Sequence, residues 1–113
     1  MKRWFLLTAL TVTSAALAHH GWSEYDASRP LNLSGTIESS SYTQPHGHIR
    51  LKTSDGSWDV VLAPPSRMES RGLEKDMLVA GAKATVYGYP HRSKADEMRA
   101  ERITIGDKTT ELR

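Results

Sequence analysis

Nitrogen donors come first, because the chain has five histidines and no cysteine among 113 residues. They fall as His19-His20, His46-x-His48 and a lone His91. On a β-strand, side chains at i and i+2 share one face about 7 Å apart. His46 and His48 at that spacing can chelate one ion with modest tilting. Imidazole nitrogen suits copper first and zinc next. The expected ligands are His19, His46 and His48, with His20 and His91 as further ones. Glu24, Asp26 and Glu38 are candidates to hold the second ring nitrogens. The plain alternative makes His19 and His20 polar residues of a mobile end. It makes His46 and His48 part of an exposed edge continued by Arg50 and Lys52, and His91 a loop histidine beside Arg92 and Lys94.

His19 gains weight from what precedes it. Lys2 and Arg3 form a basic start, Trp4 to Leu10 is apolar, the run continues through Leu17, and Ala16-Leu17-Ala18 has the A-x-A form of a cleavage site. Residues 1–18 therefore read as a signal peptide cut after Ala18, which places the product in the periplasm. The cut frees the α-amine of His19 to chelate together with its ring. The run is short for a membrane span, so no membrane insertion is expected after cleavage. Lacking cysteine, the chain offers no lipoprotein anchor, disulfide or thiolate ligand.

Cleavage also resets the charge. The whole chain has 15 basic and 13 acidic residues. Lys2 and Arg3 leave with the signal, so the remainder is balanced at 13 of each. Net charge then gives no reason to expect nucleic acid or anionic lipid as a partner.

The elements that must position these residues are mostly strands. Residues 19–30 read as an arm whose Trp22 and Tyr25 pack on the wall of the fold. Residues 31–113 read as one β domain. Leu31, Leu33, Gly35 and Ile37 alternate with Asn32, Ser34, Thr36 and Glu38, a half-buried strand with a bend or close approach at Gly35. The second strand runs from His46 to Thr53, with Gly47, Ile49 and Leu51 inward. Asp55-Gly56 turns the chain into a third strand, Trp58 to Ala63. After Pro64-Pro65, Ser66 to Glu69 has the form of a capping box, with Gly72 just beyond the helix end. The fourth strand is Ala82 to Tyr89. The fifth is Met98 to Ile105, with a bulge near Glu101-Arg102 where the apolar parity breaks. Gly106-Asp107 leads into a closing segment that ends at Leu112. Three strands, one short helix and two strands predict a mainly β fold: a small five-stranded, OB-like Greek-key barrel with the helix between strands 3 and 4.

Several landmarks recur together: His19-His20 after the signal, Tyr25-Asp26, Leu33 to Ile37, Pro45-His46, Pro64-Pro65-Ser66-Arg67-Met68, Arg71-Gly72-Leu73, and Gly88-Tyr89-Pro90-His91-Arg92. In these the chain resembles a family of small exported bacterial proteins defined by a domain of unknown function. A looser similarity is to periplasmic bacterial OB-fold proteins, without their acidic pattern. The resemblance implies compartment and fold, and no activity.

Nothing in the sequence supports catalysis. There is no cysteine nucleophile, no Gly-x-Ser-x-Gly elbow and no glycine-rich phosphate loop. The expectation is a non-enzymatic periplasmic binding protein that takes a transition metal through its histidines. The alternative is a metal-free envelope module that binds a protein, peptide or glycan. Arg50, Lys52, Lys83, Tyr87 and Tyr89 could then line one barrel face.

Overall fold

The computed structural model describes residues 21–113. The expected signal peptide, the expected cleavage point after Ala18, and His19 and His20 lie outside the described residues. The strands are β1 (Leu31–Ser41), β2 (His48–Thr53), β3 (Gly56–Val61), β4 (Lys83–Pro90), β5 (Glu97–Ile105) and β6 (Lys108–Glu111). A short helix, α1 (Pro65–Ser70), sits between β3 and β4. Turns of 3-10 helix cover Trp22–Glu24 and Lys75–Leu78. Among the described residues no helix is long and apolar enough to cross a membrane.

Pairing runs β3-β2-β1-β4-β5-β6, and a parallel contact of β3 with β5 closes the first five strands into a barrel. The expected OB-like architecture is thus the observed one, with β6 added as a hairpin on β5. Alternation places one side of each strand inside. Ile37, Ile49, Leu51, Val60, Ala84, Val86, Met98, Ala100 and Ile103 are all buried. Leu62, Met68, Leu73, Leu78 and Leu112 complete the core. Each fully buried aliphatic side chain contributes about 1.5–3 kcal/mol, so this interior carries the fold without disulfides.

Two bulges shape the barrel. On β5, Tyr87 faces Arg102 and Gly88 faces Ala100, so Glu101 is the additional residue, as the parity break predicts. A second bulge falls at Glu38, between the Ile37–Leu51 and Ser39–Arg50 pairs; its Ile-Glu-Ser context carries no glycine signal to mark it. Gly35 and Gly88 are points of backbone contact. A Cβ on Gly35 would stand 2.0 Å from the Lys52 carbonyl oxygen, and one on Gly88 would stand 2.0 Å from that of Arg99.

The helix start differs from expectation. Pro64 is the N-cap, Pro65 opens the helix, and no side chain caps it. Proline at the first helical position has its φ preset and no N–H to satisfy. Ser66 is thereby drawn inside the helix, where it cannot form the expected box with Glu69. Gly72 does take the left-handed position just past the end, at φ +82°. The helix carries Met68 to the barrel floor, where its Cε faces Gly47.

Candidate functional site

The expected ligands occupy different settings. His48 is exposed at the start of β2, where it pairs with Ser41 and Val61. His46 lies just before the strand and is half-buried, with its Nε2 3.3 Å from Nη2 of Arg99. A guanidinium only donates, so Nε2 holds the lone pair and Nδ1 the proton. Burial first, then the neighbouring Arg99 charge, hold the His46 ring below the ordinary histidine pKa. His91 follows β4, and its Nδ1 accepts the backbone N–H groups of Ser93 at 3.1 Å and Lys94 at 3.0 Å. Its ring also stands edge-on to Tyr25 at 5.1 Å. His91 therefore closes a turn with the nitrogen a metal would need.

Among the described residues no group of three or more His, Cys, Asp or Glu side chains is arranged to hold a metal ion. Two of the three carboxylates expected to support the histidines are engaged elsewhere. Glu38 accepts from Ser57 at 2.6 Å, and Asp26 accepts from the Ser28 hydroxyl at 2.6 Å.

The arm is held on the barrel by the loop between β4 and β5. Tyr25 makes an antiparallel bridge with His91, and the Asp26 N–H donates to the Pro90 carbonyl at 2.9 Å. The Tyr25 hydroxyl donates to Glu97 at 2.7 Å. Burial first, and the Glu97 hydrogen bond second, push the Tyr25 pKa well above the ordinary tyrosine value. One turn earlier, the Trp22 ring receives two guanidinium groups, Arg99 at 4.4 Å and Arg113 at 4.5 Å from its centroid. Tyr89 meets the indole edge-on at 6.1 Å. Packing on the wall is what the sequence led us to expect of Trp22 and Tyr25. The guanidinium contacts were not legible, because nothing in the local pattern links residue 22 to residues 99 and 113.

The proposed basic and aromatic face is divided by its own pairings. Arg50 is held by Asp59 at 2.7 Å and approaches Glu38 at 4.0 Å. Lys52 and Lys83 flank Thr36 from either side. Tyr87 carries the Arg102 guanidinium at 4.8 Å from its centroid, and Tyr89 reaches Glu101.

Two clefts remain. The larger, about 440 Å³, runs over β1 and β4 and is floored by Ser34, Gly35, Thr36 and Thr85. Its hydroxyls bond one another, as Ser34 and Thr85 do at 2.8 Å, and no aromatic ring lines it. The second, about 340 Å³, lies between the 91–96 loop and β3 and is lined by Trp58 with the charged residues Arg29, Arg92, Lys94, Asp96 and Glu97. The second offers the more varied chemistry despite its smaller volume. It combines a half-buried indole with donors and acceptors of both signs, and it lies against the loop that OB barrels use for recognition. Sequence reading placed Trp58 inward and missed that one side of it borders a cleft. The signal was its position at the start of β3, where the barrel wall ends.

Comparison with known proteins gives the class and then the family. Solved structures that match share the barrel. A TiaS–tRNA–ATP complex matches with TM-score 0.54 and 22% identity over 79% of this chain and 20% of that one. ZRD-deleted TiaS with agmatine matches with TM-score 0.56 and 19% identity over 74% of this chain and 26% of that one. The chain thus spans about a quarter or less of those proteins, and at such identity the likeness shows the fold alone. No curated protein matches. The chain itself belongs to DUF6152, a family of unknown function, whose pattern matches residues 8–99.

Proposed function

We propose that this chain is a non-enzymatic binding module of the periplasm that takes a glycan without a metal. The carrying observation is the cleft of about 340 Å³ that sets the Trp58 indole against a rim of Arg29, Arg92, Lys94, Asp96 and Glu97. A sugar ring has apolar C–H faces and polar edges. An indole matches the first and a rim of mixed charge the second. The mixed rim argues against a polyanion, and the balanced charge of residues 19–113 argues against carrying tRNA recognition over from TiaS. Val79 is the one large hydrophobic exposed among the described residues, which leaves little apolar surface for a protein partner.

The test is calorimetric titration with chitotriose and with soluble, peptide-free peptidoglycan fragments. We expect saturable binding to at least one. Trp58→Ala should weaken it by about tenfold or more, as loss of a central aromatic anchor does, and Trp58→Phe should retain part. Binding unchanged by Trp58→Ala, or no binding to either glycan, would sink the reading. Trp58 also packs against the core, so circular dichroism must show that each variant is folded.

A second reading, copper binding by His19, His46 and His48, keeps one supporting observation. Trp22, three residues after His19 in the sequence, rests on Arg99, and Arg99 bonds His46. Titration of Cu(II) into the chain beginning at His19 tests it. One tight equivalent, lost on His46→Ala or on adding a residue before His19, is the expected result. Uptake matching that of a two-histidine peptide refutes it.

A further inference from the structure

Arg99 is only 6% exposed, yet no carboxylate forms an ion pair with it among the described residues. Its Nη2 faces the neutral imidazole of His46 at 3.3 Å. Its Nε is buried with no hydrogen-bond partner among the described residues. Buried arginines are ordinarily paired, because a charge taken from water costs several kcal/mol unless it is compensated. Here the nearest compensation is the Trp22 ring, 4.4 Å from the guanidinium carbon. An aromatic quadrupole offsets part of a charge but accepts no N–H bond in the guanidinium plane.

Burial first disfavours the Arg99 charge; Arg67 and Arg113 add to that, while Tyr25 and Glu24 oppose it. Glu101 is the second carboxylate nearby, and it already bridges Arg113 at 2.9 Å. Glu97, two residues before Arg99 on β5, is a third, and it is engaged by the Tyr25 hydroxyl at 2.7 Å; each of these carboxylates is thus placed without an ion pair to the buried Arg99.

We propose that the Nε–Nη2 edge of Arg99 is a receptor for a single carboxylate, with Trp22 as its cover. The two N–H groups on that edge match the two oxygens of a carboxylate in one plane. A monoanion matches the single charge of Arg99, which has no ion-pair partner among the described residues; a phosphate dianion exceeds it. The cover is the part of the arm able to move. The arm is fixed by hydrogen bonds at Asp26 to Pro90 and at Tyr25 to Glu97, and by Arg92, which donates to the Ser23 and Glu24 carbonyls at 3.0 and 2.9 Å. Trp22 lies ahead of those anchors, on a three-residue 3-10 turn without a side-chain cap. The incoming carboxylate replaces His46 at Nη2 and supplies Nε with the acceptor it lacks. This site does not depend on the Trp58 cleft, which can fail its own test independently.

The experiment follows the Arg99 Nε–H signal of ¹⁵N-labelled protein at fixed ionic strength, with sodium acetate, sodium phosphate or sodium chloride as probe. We expect a saturable shift with acetate, none with chloride, and phosphate weaker by about threefold or more, as the fork geometry and charge balance require. Arg99→Lys keeps the charge but loses the fork, and should abolish the saturable shift of neighbouring backbone amides. Should that variant not fold, Trp22→Ala decides. Removing the cover should tighten acetate about threefold or more, since the competent state is then no longer a minor one. A shift linear in acetate and equal to that with chloride overturns the site. Phosphate binding tighter than acetate overturns the assigned class, and an unchanged affinity in Trp22→Ala overturns the cover.

Discussion

Gly88 is where the barrel's closure can be tested by one methyl group. It pairs with Ala100 beside the bulge that puts Arg99 under the arm. A Cβ there would stand 2.0 Å from the Arg99 carbonyl oxygen and 2.8 Å from Cα of Ala100. Both obstacles are backbone, so no side chain can turn aside, and β4 and β5 must part locally. Overpacking costs about 1–3 kcal/mol, and each ladder hydrogen bond weakened costs about 0.5–1.5 kcal/mol more. Gly88→Ala should therefore lose about 2–4 kcal/mol, a large share of the 5–15 kcal/mol that holds a typical domain. Gly47→Ala is the internal comparison. Its Cβ would meet Met68 Cε at 2.6 Å, but that atom ends a flexible side chain, so the loss should stay below about 1.5 kcal/mol. Urea denaturation followed by circular dichroism measures both, read from the midpoint at unchanged slope. If Gly88→Ala falls within about 0.5 kcal/mol of the parent, or Gly47→Ala costs more than Gly88→Ala, then steric contact between β4 and β5 is not what fixes this glycine.

Tyr25 gives a pH prediction. Its hydroxyl stays protonated in the fold because burial and Glu97 disfavour the phenolate, whereas in the unfolded chain it ionises near the ordinary value of 10.0. The contribution is complete below that pH and is lost as pH rises beyond it toward the folded-state value. Denaturant midpoints should fall above about pH 10, and Tyr25→Phe should flatten that fall; an equal slope in both proteins would contradict the assignment. Arg99→Met should leave stability within about 1 kcal/mol of the parent or raise it, since an apolar chain of similar volume removes an unpaired buried charge. A loss of several kcal/mol by the same urea assay would make Arg99 a structural residue. Asp59→Ala removes the partner of Arg50, and both side chains are about half exposed. The expected change is below about 0.5 kcal/mol and should shrink further in high salt.

The barrel was legible because its signals are local. Leu31-x-Leu33-x-Gly35-x-Ile37 shows which side of β1 is inside, and Asp55-Gly56 marks the first hairpin. The parity break after Ala100 marks the bulge at Glu101. The helix start was misread for a local reason too. Ser66-x-x-Glu69 and Pro65 both signal a first turn, and the proline took precedence. The bulge at Glu38 escaped because it depends on how β1 must bend to serve two partners, β2 and β4.

The site was much less legible. Spacing puts His46 and His48 on one side of β2, and the fold agrees that Gly47, Ile49 and Leu51 are buried between and beyond them. Spacing cannot say what each ring meets. His46 meets a guanidinium from β5, 53 residues away, and His91 closes its own turn. Sequence alone determined the period of the strands, the turns, the core positions and the supply of nitrogen donors, since each follows from side-chain type at fixed separation along the chain. Only the tertiary structure decided that Trp22 covers Arg99 and that Trp58 borders a cleft. Those contacts are set by the closure of β3 on β5 and by the bridge from Tyr25 to His91, which join residues that no local period connects.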